Sequence, residues 1–289
     1  MTDSRFGVFL VPTAEAAALT VARALEAERL GLDLIGIQDH PYQRRFLDTF
    51  SLLAFIAART TRIRLTPDVA NLPLRLPTVL AKSAATIDVL SNGRFELGLG
   101  AGGFWDAIEA MGGPQRSPKA SVDALEEAIE VIRLSWSGRQ SVSFEGAHYR
   151  VRGFKPGPPP AHPIGIWLGA YGARMVRLTG AKADGWLPSV PRLPLDEVPP
   201  RQRAIDEAAK RAGREPASIR RVANVSGQIT DGQANGFLNG PPSQWVDDLR
   251  RLREDYRFDD FIFWGSGDPD EQLRRFAEDV VPAARRVTQ

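Results

Sequence analysis

The sequence predicts a (β/α)8 barrel of the TIM type, an α/β fold, as one domain over residues 1–289 with a short hairpin insertion. Strand-like and helix-like segments alternate along the whole chain, eight of each. The strand segments are short unbroken apolar runs, the pattern of parallel strands buried on both faces. The length of 289 residues suits a single barrel of about 250 residues as well as it suits two smaller domains. A doubly wound parallel sheet is the second arrangement with the same alternation.

The elements follow in order. Phe6 to Val11 is the first strand. Thr13 is placed to cap a helix running to Leu30, where Ala18, Val21, Ala22 and Leu25 form the apolar stripe and Gly31 the stop. Leu32 to Ile37 is the second strand, ending in Gln38-Asp39-His40-Pro41, and Leu52 to Ala58 a helix. Ile63 to Val69 is a third strand, broken by Pro67. Pro77 to Leu90 is a helix with proline in its first turn. After the turn Ser91-Asn92-Gly93 comes the fourth strand, Phe95 to Leu99, and then a long helix, Ala120 to Trp136. Ser141 to Val151 alternates about Glu145-Gly146 and predicts the hairpin. Gly157 to Pro160 is a stiff connector. Ile164 to Leu168, Gly185 to Leu187, Ile219 to Val225 and Asp260 to Trp264 complete the strands. Helices are expected over Gly172 to Lys182, Leu195 to Ala212 and Pro242 to Tyr256. Asp268-Pro269-Asp270-Glu271 opens the last helix with a cap, a first-turn proline and a capping-box acid.

Composition narrows the function. The chain has no cysteine, which excludes disulfides, thiolate metal sites and cysteine nucleophiles. A balance of 37 basic against 35 acidic residues, a net charge of +2, gives little attraction for a phosphate backbone, so nucleic acid is not an expected partner. No apolar run approaches the roughly 18 residues of a membrane span, and no membrane partner is expected. The N-terminal residues lead straight into a strand without the apolar core of a signal peptide. The expectation is a cytoplasmic protein acting on a small molecule, with a homodimer left open.

Gly98-Leu99-Gly100-Ala101-Gly102-Gly103 matches G-x-G-x-x-G after a strand. A dinucleotide fingerprint needs an acid at the next strand end, about 20 residues on. The window around Asp123 and Glu126 is helical instead, and the motif falls on the fourth strand. Gly100 and Gly102 are better read as positions where a flat ligand approaches the backbone, or as a plain glycine loop. Asp39-His40 follows the second strand, where barrel active sites lie; it is a candidate acid/base pair or ring contact, or a cap on the next segment. His148 and His162 fall in the hairpin and the connector and are expected to be structural. Asp39, His40 and Asp68 could form a mixed-ligand metal site, but no second histidine ligand supports it, and no metal is expected. Gly169-Ala170-Tyr171-Gly172-Ala173-Arg174 joins a strand to a helix whose first N–H groups make an anion site, or it is only a tight loop. Trp105, Trp186 and Trp264 follow strands four, six and eight. With Phe9 they are candidates to wall an apolar pocket, or are core.

Gln38-Asp39-His40-Pro41-Tyr42, the stretch Pro67 to Arg75, and Leu90-Ser91-Asn92-Gly93-Arg94-Phe95-Glu96-Leu97-Gly98-Leu99-Gly100-Ala101-Gly102 resemble the bacterial luciferase-like flavin oxidoreductases. Ala183-Asp184-Gly185-Trp186 and Asp259 to Phe276 fit as well, so the similarity covers nearly the whole chain. The resemblance implies a barrel holding FMN or a deazaflavin at its C-terminal mouth. The ring would back onto a bulge after strand three, with a cis peptide at Asp68–Val69 and Ala70 beside it, and the phosphate would lie against Gly169, Ala170, Gly172, Ala173 and Arg174. Asp39-His40 with Asp68-Val69 looks like the branch that uses the deazaflavin coenzyme F420. In the sugar-phosphate dehydrogenases of that branch an acid follows the glycine loop. Gly103 stands there in this chain, followed by Phe104 and Trp105, so a hydrophobic, unsaturated or carbonyl substrate is expected instead. The implied activity is hydride transfer between F420 and such a substrate, with Asp39 and His40 as catalytic candidates. An FMN-dependent monooxygenase is the alternative, since FMN activates oxygen and the 5-carba ring does not readily do so. A flavin-binding protein without turnover is the other.

Overall fold

The computed structural model describes residues 4–288. The first strand, β1 (Phe6–Leu10), leads through a 3-10 turn at Ala14–Ala16 into α1 (Ala17–Arg29). That turn separates Thr13 from the helix, and Thr13 makes no side-chain cap. Gly31 does end α1: its φ of 86° is open to glycine at no steric cost, and the Leu32 N–H reaches back to the Ala27 carbonyl at 3.0 Å. Next come β2 (Leu34–Ile37), α2 (Thr49–Ala57), β3 (Arg64–Pro67), β4 (Ala70–Asn71), α3 (Pro77–Leu90) and β5 (Leu97–Gly100). Asp48 caps α2 by accepting from the Ser51 N–H.

After β5 the chain forms α4 (Trp105–Ala110), which the sequence does not announce, and then α5 (Pro118–Trp136). The expected hairpin is β6 (Val142–Glu145) with β7 (Arg150–Phe154), a two-stranded sheet of its own. The second half holds β8 (Ile166–Leu168), α6 (Ala173–Lys182), β9 (Gly185–Trp186), α7 (Val198–Arg211), β10 (Arg220–Ile229), β11 (Asn239–Gly240), α8 (Pro242–Glu254) and β12 (Asp260–Gly265). It ends with α9 (Pro269–Arg275) and α10 (Val281–Thr288). Asp268 caps α9, accepting from the Asp270 and Glu271 N–H groups.

Parallel pairing runs β3-β2-β1-β12-β10-β9-β8-β5, and a bridge between Leu65 and Phe95 closes the ring. This is the barrel that the alternation predicts. Two strands depart from their expected extents. The third is split, with β4 resuming beyond Asp68–Val69 and pairing with β5. The seventh, β10, runs on to Ile229 and pairs with β11 at its far end.

A large apolar core lies between sheet and helices, and a smaller cluster of Leu34, Trp167, Leu187, Val222 and Ile262 fills the bore. Beneath the bore cluster, at the N-terminal ends of the strands, Arg64 pairs with Glu96 at 2.5 Å and Arg220 with Asp260 at 2.5 Å. His162 is tied to buried Asp88, with Nδ1 2.7 Å from its carboxylate, and so anchors the connector as expected. The bore is therefore closed below by ion pairs, and any ligand must enter from the C-terminal mouth.

Arg94, inside the most family-like stretch, shows how sequence fixes this frame. Its buried guanidinium donates to the carbonyls of Ser91, Ile63, Ala57 and Thr60 at 2.8–2.9 Å, and to the Thr60 hydroxyl at 3.0 Å. It thereby binds the end of α2, the start of β3 and the turn before β5 into one corner. Arg94→Met would keep the side chain's bulk and strand several buried acceptors. Urea melts of that variant should show a loss on the order of 3 kcal/mol in stability.

Candidate active site

The site begins at the break in the third strand. The Asp68–Val69 peptide is cis, as the resemblance implies. The Val69 side chain lies over a floor of glycines on the neighbouring strands. A Cβ on Gly100 would stand 2.9 Å from a Val69 methyl, one on Gly169 3.1 Å, and one on Gly98 only 2.1 Å from the Pro67 carbonyl oxygen. These glycines are thus occupied by close approach of the bulge itself, and Gly100 and Gly102 also face a cavity.

Two connected cavities open at the mouth. The outer cleft, about 650 Å³, is lined by Asp39, His40, Val69, Ala70 and Asn71 on one side and by Gly100, Gly102 and Phe104 on another. At its far end are Lys119, Gly169, Gly172, Ala173 and Arg174. The inner chamber, about 220 Å³, is bounded by Phe9, Asp68, Leu187, Asn224 and Trp264. His40, Val69, Gly169, Tyr171 and Arg192 line both. Most of the residues picked from the sequence therefore converge, although they come from separate strand ends.

Asp39 is buried, and its carboxylate is fully engaged. Arg75 grips both oxygens at 2.7 Å, and the Asn71 N–H donates to Oδ2 at 2.9 Å. On this geometry the carboxylate holds the loop after β2 against β4, which is a positioning role. Nor do Asp39, His40 and Asp68 form a metal site; among the described residues no cluster of three or more ligating side chains could hold an ion.

His40 is half-buried, with Nδ1 2.5 Å from the Tyr42 hydroxyl. Burial, with Asp39 nearby, pushes the Tyr42 phenol up to about 12, so it stays protonated, and the tautomer of His40 sets the direction of their hydrogen bond. Burial also lowers the His40 pKa; Asp39 opposes this shift and the Arg192 cation adds to it. At neutral pH the ring is therefore uncharged.

Asp68 contrasts with Asp39. It is 9% exposed, and its one hydrogen bond is from the Asn224 amide to Oδ1 at 2.9 Å. Oδ2 and the Asn224 Oδ1 have no partner, and neither has the Asn71 Oδ1 at the cleft edge. Burial lifts the Asp68 carboxyl to about 7 against the opposing Asn224 hydrogen bond.

The Gly169–Arg174 loop runs into the N-terminus of α6, where Gly172 is the N-cap and no side chain caps the turn. The first N–H groups are thus left for an anion. Arg174 does not stand free beside them, as the sequence suggests. Its guanidinium is bound to Asp123, which also holds Lys119 at 2.7 Å. Those two cations, Lys119 first, hold the Asp123 carboxyl at about 2. Ala170 is buried under the loop, its carbonyl accepting from the Trp186 indole at 2.8 Å, and its side chain reaches neither cavity.

Of the four aromatic candidates, Phe9 and Trp264 stack at 4.9 Å and wall the inner chamber. Trp186 does not wall it. Side chains alternate along β9, so Leu187 faces the bore while Trp186 is fully buried outside it, stacked on Phe258. Trp105 opens α4 and packs where a Cβ on Gly102 would be, 2.8 Å away; Phe104, at φ 54°, lines the cleft against His40 and Tyr42. Sequence reasoning missed Phe104, Tyr42, Tyr171, Arg192 and Asn224. Tyr42 and Tyr171 sit inside motifs already singled out. Asn224 lies mid-strand among apolar residues, a buried-polar signal that was available.

The luciferase-like monooxygenase family model matches residues 2–235. The F420-dependent glucose-6-phosphate dehydrogenase of Intrasporangium calvum is 31% identical over 71% of this chain and 64% of its own length. A putative coenzyme F420-dependent oxidoreductase of Mycobacterium tuberculosis is 35% identical over 68% of this chain and 59% of its own. The chain thus spans less than two thirds of the length of these relatives. Two solved structures share the fold: an F420-dependent secondary alcohol dehydrogenase with an F420-acetone adduct (TM-score 0.87, 16% identity, 98% of this chain and 99% of that one) and the F420-dependent tetrahydromethanopterin reductase of Methanopyrus kandleri (TM-score 0.81, 20% identity, 97% and 99%). With the closed barrel, the bulge after its third strand and the family match over most of its length, this chain belongs to the luciferase-like monooxygenase family.

Proposed function

We propose that this protein is a cytoplasmic oxidoreductase moving a hydride between coenzyme F420 and a small, mainly apolar organic substrate. The observation that carries the reading is the two-part cavity, an elongated cleft from the β4 bulge to an uncapped helix N-terminus, with a separate aromatic chamber opening off it. The cleft volume lies within the range of about 300–1,000 Å³ usual for cofactor and ligand sites. The curated relatives named as F420-dependent enzymes support the choice of cofactor.

The residues present fit a deazaflavin. Val69, Ala70 and the bare backbone at Gly100 and Gly102 give a flat apolar cradle, and the orphaned Asn71 Oδ1 at its edge is an acceptor without a donor. The first turn of α6 would hold the phosphate, in a field of two cations, Lys119 and Arg174, against one anion, Asp123. When bound in reduced form, F420 supplies the hydride. His40 presents a neutral imidazole where the two cavities meet, able to hydrogen-bond the ring or the substrate. Asp39 positions that loop through Arg75. Phe9 and Trp264 give the inner chamber an aromatic wall against which an apolar part of the substrate would pack. The substrate departs from a sugar phosphate because Gly103, which lines the cleft, stands where the resemblance expects an acid.

We also propose a homodimer. Phe55 on α2, Leu76 before α3, and Val79 and Leu90 on α3 are 53%, 65%, 56% and 72% exposed, large apolar side chains on two neighbouring helices that a second copy would cover. Light scattering should give a dimer mass for the wild type and a monomer mass for Phe55→Glu combined with Val79→Glu. A wild-type monomer would remove the dimer.

Fluorescence titrations with F420 and FMN side by side should give the lower dissociation constant for F420. An equal or lower constant for FMN would replace the hydride reading with the FMN-dependent one, and no binding of either would remove the enzyme reading altogether. Gly172→Val should fold normally, because a Cβ there meets no atom within 4 Å. Its branched side chain would stand over the anion-binding turn, and F420 affinity should fall about tenfold or more, some 1.4 kcal/mol. Unchanged affinity would put the phosphate elsewhere.

A further inference from the structure

The ring of strands is not sealed up to its rim. At the mouth the ladder between β1 and β12 ends at Val8 opposite Phe263. Each strand keeps its other partner for two residues more, β1 with β2 as far as Leu10 opposite Ile37, and β12 with β10 as far as Gly265 opposite Gly227. The two strands therefore part above Val8 and Phe263, and a seam opens between them. Phe9 and Trp264, the next residue on each strand, stack across it at 4.9 Å.

On the far side of the seam lies another cavity, of about 310 Å³, between the sheet and the helices α1 and α9. Buried Val8, Leu10, Phe263 and Leu273 wall it. All four belong to the outer core, whereas Phe9 packs against the cluster in the bore. Phe9 and Trp264 line this cavity and the inner chamber alike. The polar side chains that reach it from the helices are already committed: the Thr20 hydroxyl to the carbonyls of Val11 and Ala16, Arg23 to Asp270, and the Gln272 amide to both backbone groups of Ile229. Protein interiors are close-packed, so a space of this size is out of keeping with a purely structural layer, and water finds few partners on such a lining. The lining selects an apolar group.

We propose that the seam is a passage for the substrate's aliphatic tail: the reacting group stays in the inner chamber, and the tail leaves between β1 and β12 and lies in the outer cavity. This rests on the oxidoreductase reading above and narrows its substrate to an amphiphile, a small reacting head on an unbranched hydrocarbon chain. Strands stand about 4.8 Å apart where they pair, so a seam two residues deep between them is narrow and suits a single methylene chain better than a branched or ring skeleton. Without a tail, the stack of Phe9 on Trp264 closes it. Trp264 is 45% exposed while Phe9 is packed on the bore cluster, so Trp264 is the ring that swings aside.

Calorimetric titration of the full chain, without cofactor, with straight-chain primary alcohols from butanol to decanol and dodecanol reads the tail site directly. Affinity should rise about threefold to fourfold with each methylene and level off once the outer cavity is full. 4-tert-Butylcyclohexanol, which has as many carbons as decanol in a branched ring skeleton, should bind about tenfold more weakly than decanol or worse. Leu273→Phe adds bulk to the outer cavity alone. It should leave butanol at its wild-type dissociation constant and weaken decanol about tenfold or more. Ala16→Leu, which fills the same cavity from the α1 side, gives a second variant with the same forecast.

Fluorescence reports the movement of the ring. Decanol should change the tryptophan emission of the wild type, butanol should not, and the change should vanish in Trp264→Phe. Affinity that does not grow beyond the short alcohols, equal losses for butanol and decanol in the filled variants, decanol binding untouched by both variants, or an emission change that survives in Trp264→Phe would each overturn the proposal. Titration of the same samples with F420 and FMN tests the reading beneath it. F420 binding without any dependence on chain length would overturn the tail site alone. Decanol binding through the seam in a protein that takes up neither F420 nor FMN would overturn the oxidoreductase reading and leave the apolar site standing.

Discussion

Between Pro67 and Ala70 the third barrel strand stops pairing and starts again, and the two residues in the gap enter space that a regular strand would leave to its neighbours. Val69 spreads over β5 and β8, so Gly98, Gly100 and Gly169 must carry no side chains. Asp68 turns into the bore, so Gly36 must carry none either. The cleft floor, the partition between cleft and chamber, and the carboxyl at the chamber's base all follow from this one interruption. The ring still closes around it, through β4 on β5 and the bridge from Leu65 to Phe95.

The barrel handles its buried charges in two ways, according to depth. At the closed end Arg64 pairs with Glu96 and Arg220 with Asp260, and burial is offset by paired, hydrogen-bonded partners. At the open end Asp39 is paired with Arg75, while Asp68 has only an amide. A carboxyl left without a cation relieves its desolvation by holding a proton. The mouth of the barrel thus contains one carboxylate paired with an arginine and one carboxyl, without such a partner, that changes form near neutral pH.

The organisation of the site by strand ends also explains its aromatic residues. Period-two alternation sends neighbouring residues to opposite faces of the sheet, and here it separates Leu187 in the bore from Trp186 in the outer core. Both tryptophans lie at the C-terminal ends of strands, and nothing in residue type distinguishes Trp264, at the chamber wall, from Trp186, which braces the Ala170 carbonyl from behind. The backbone turn at Phe104 likewise brings that ring, and not Trp105, against His40 and Tyr42.

Much of this protein was legible in its residues. Apolar runs alternating with helical stripes dictate a parallel barrel, because strands buried on both faces must be joined by crossover helices. Local signals, such as Asp268 before Pro269 and Gly31 after α1, act within a few residues and set helix ends directly. The motifs at the ends of strands two, three, four and five converge on the two cavities, as strand ends at the C-terminal mouth of a barrel do. The sequence could not say which charge meets which. Arg75 is 36 residues from the Asp39 it neutralises, and Asn224 is 156 residues from Asp68. Only barrel closure brings those pairs together, and the presence or absence of a cation within reach then decides which carboxyl is a clamp and which can hold a proton.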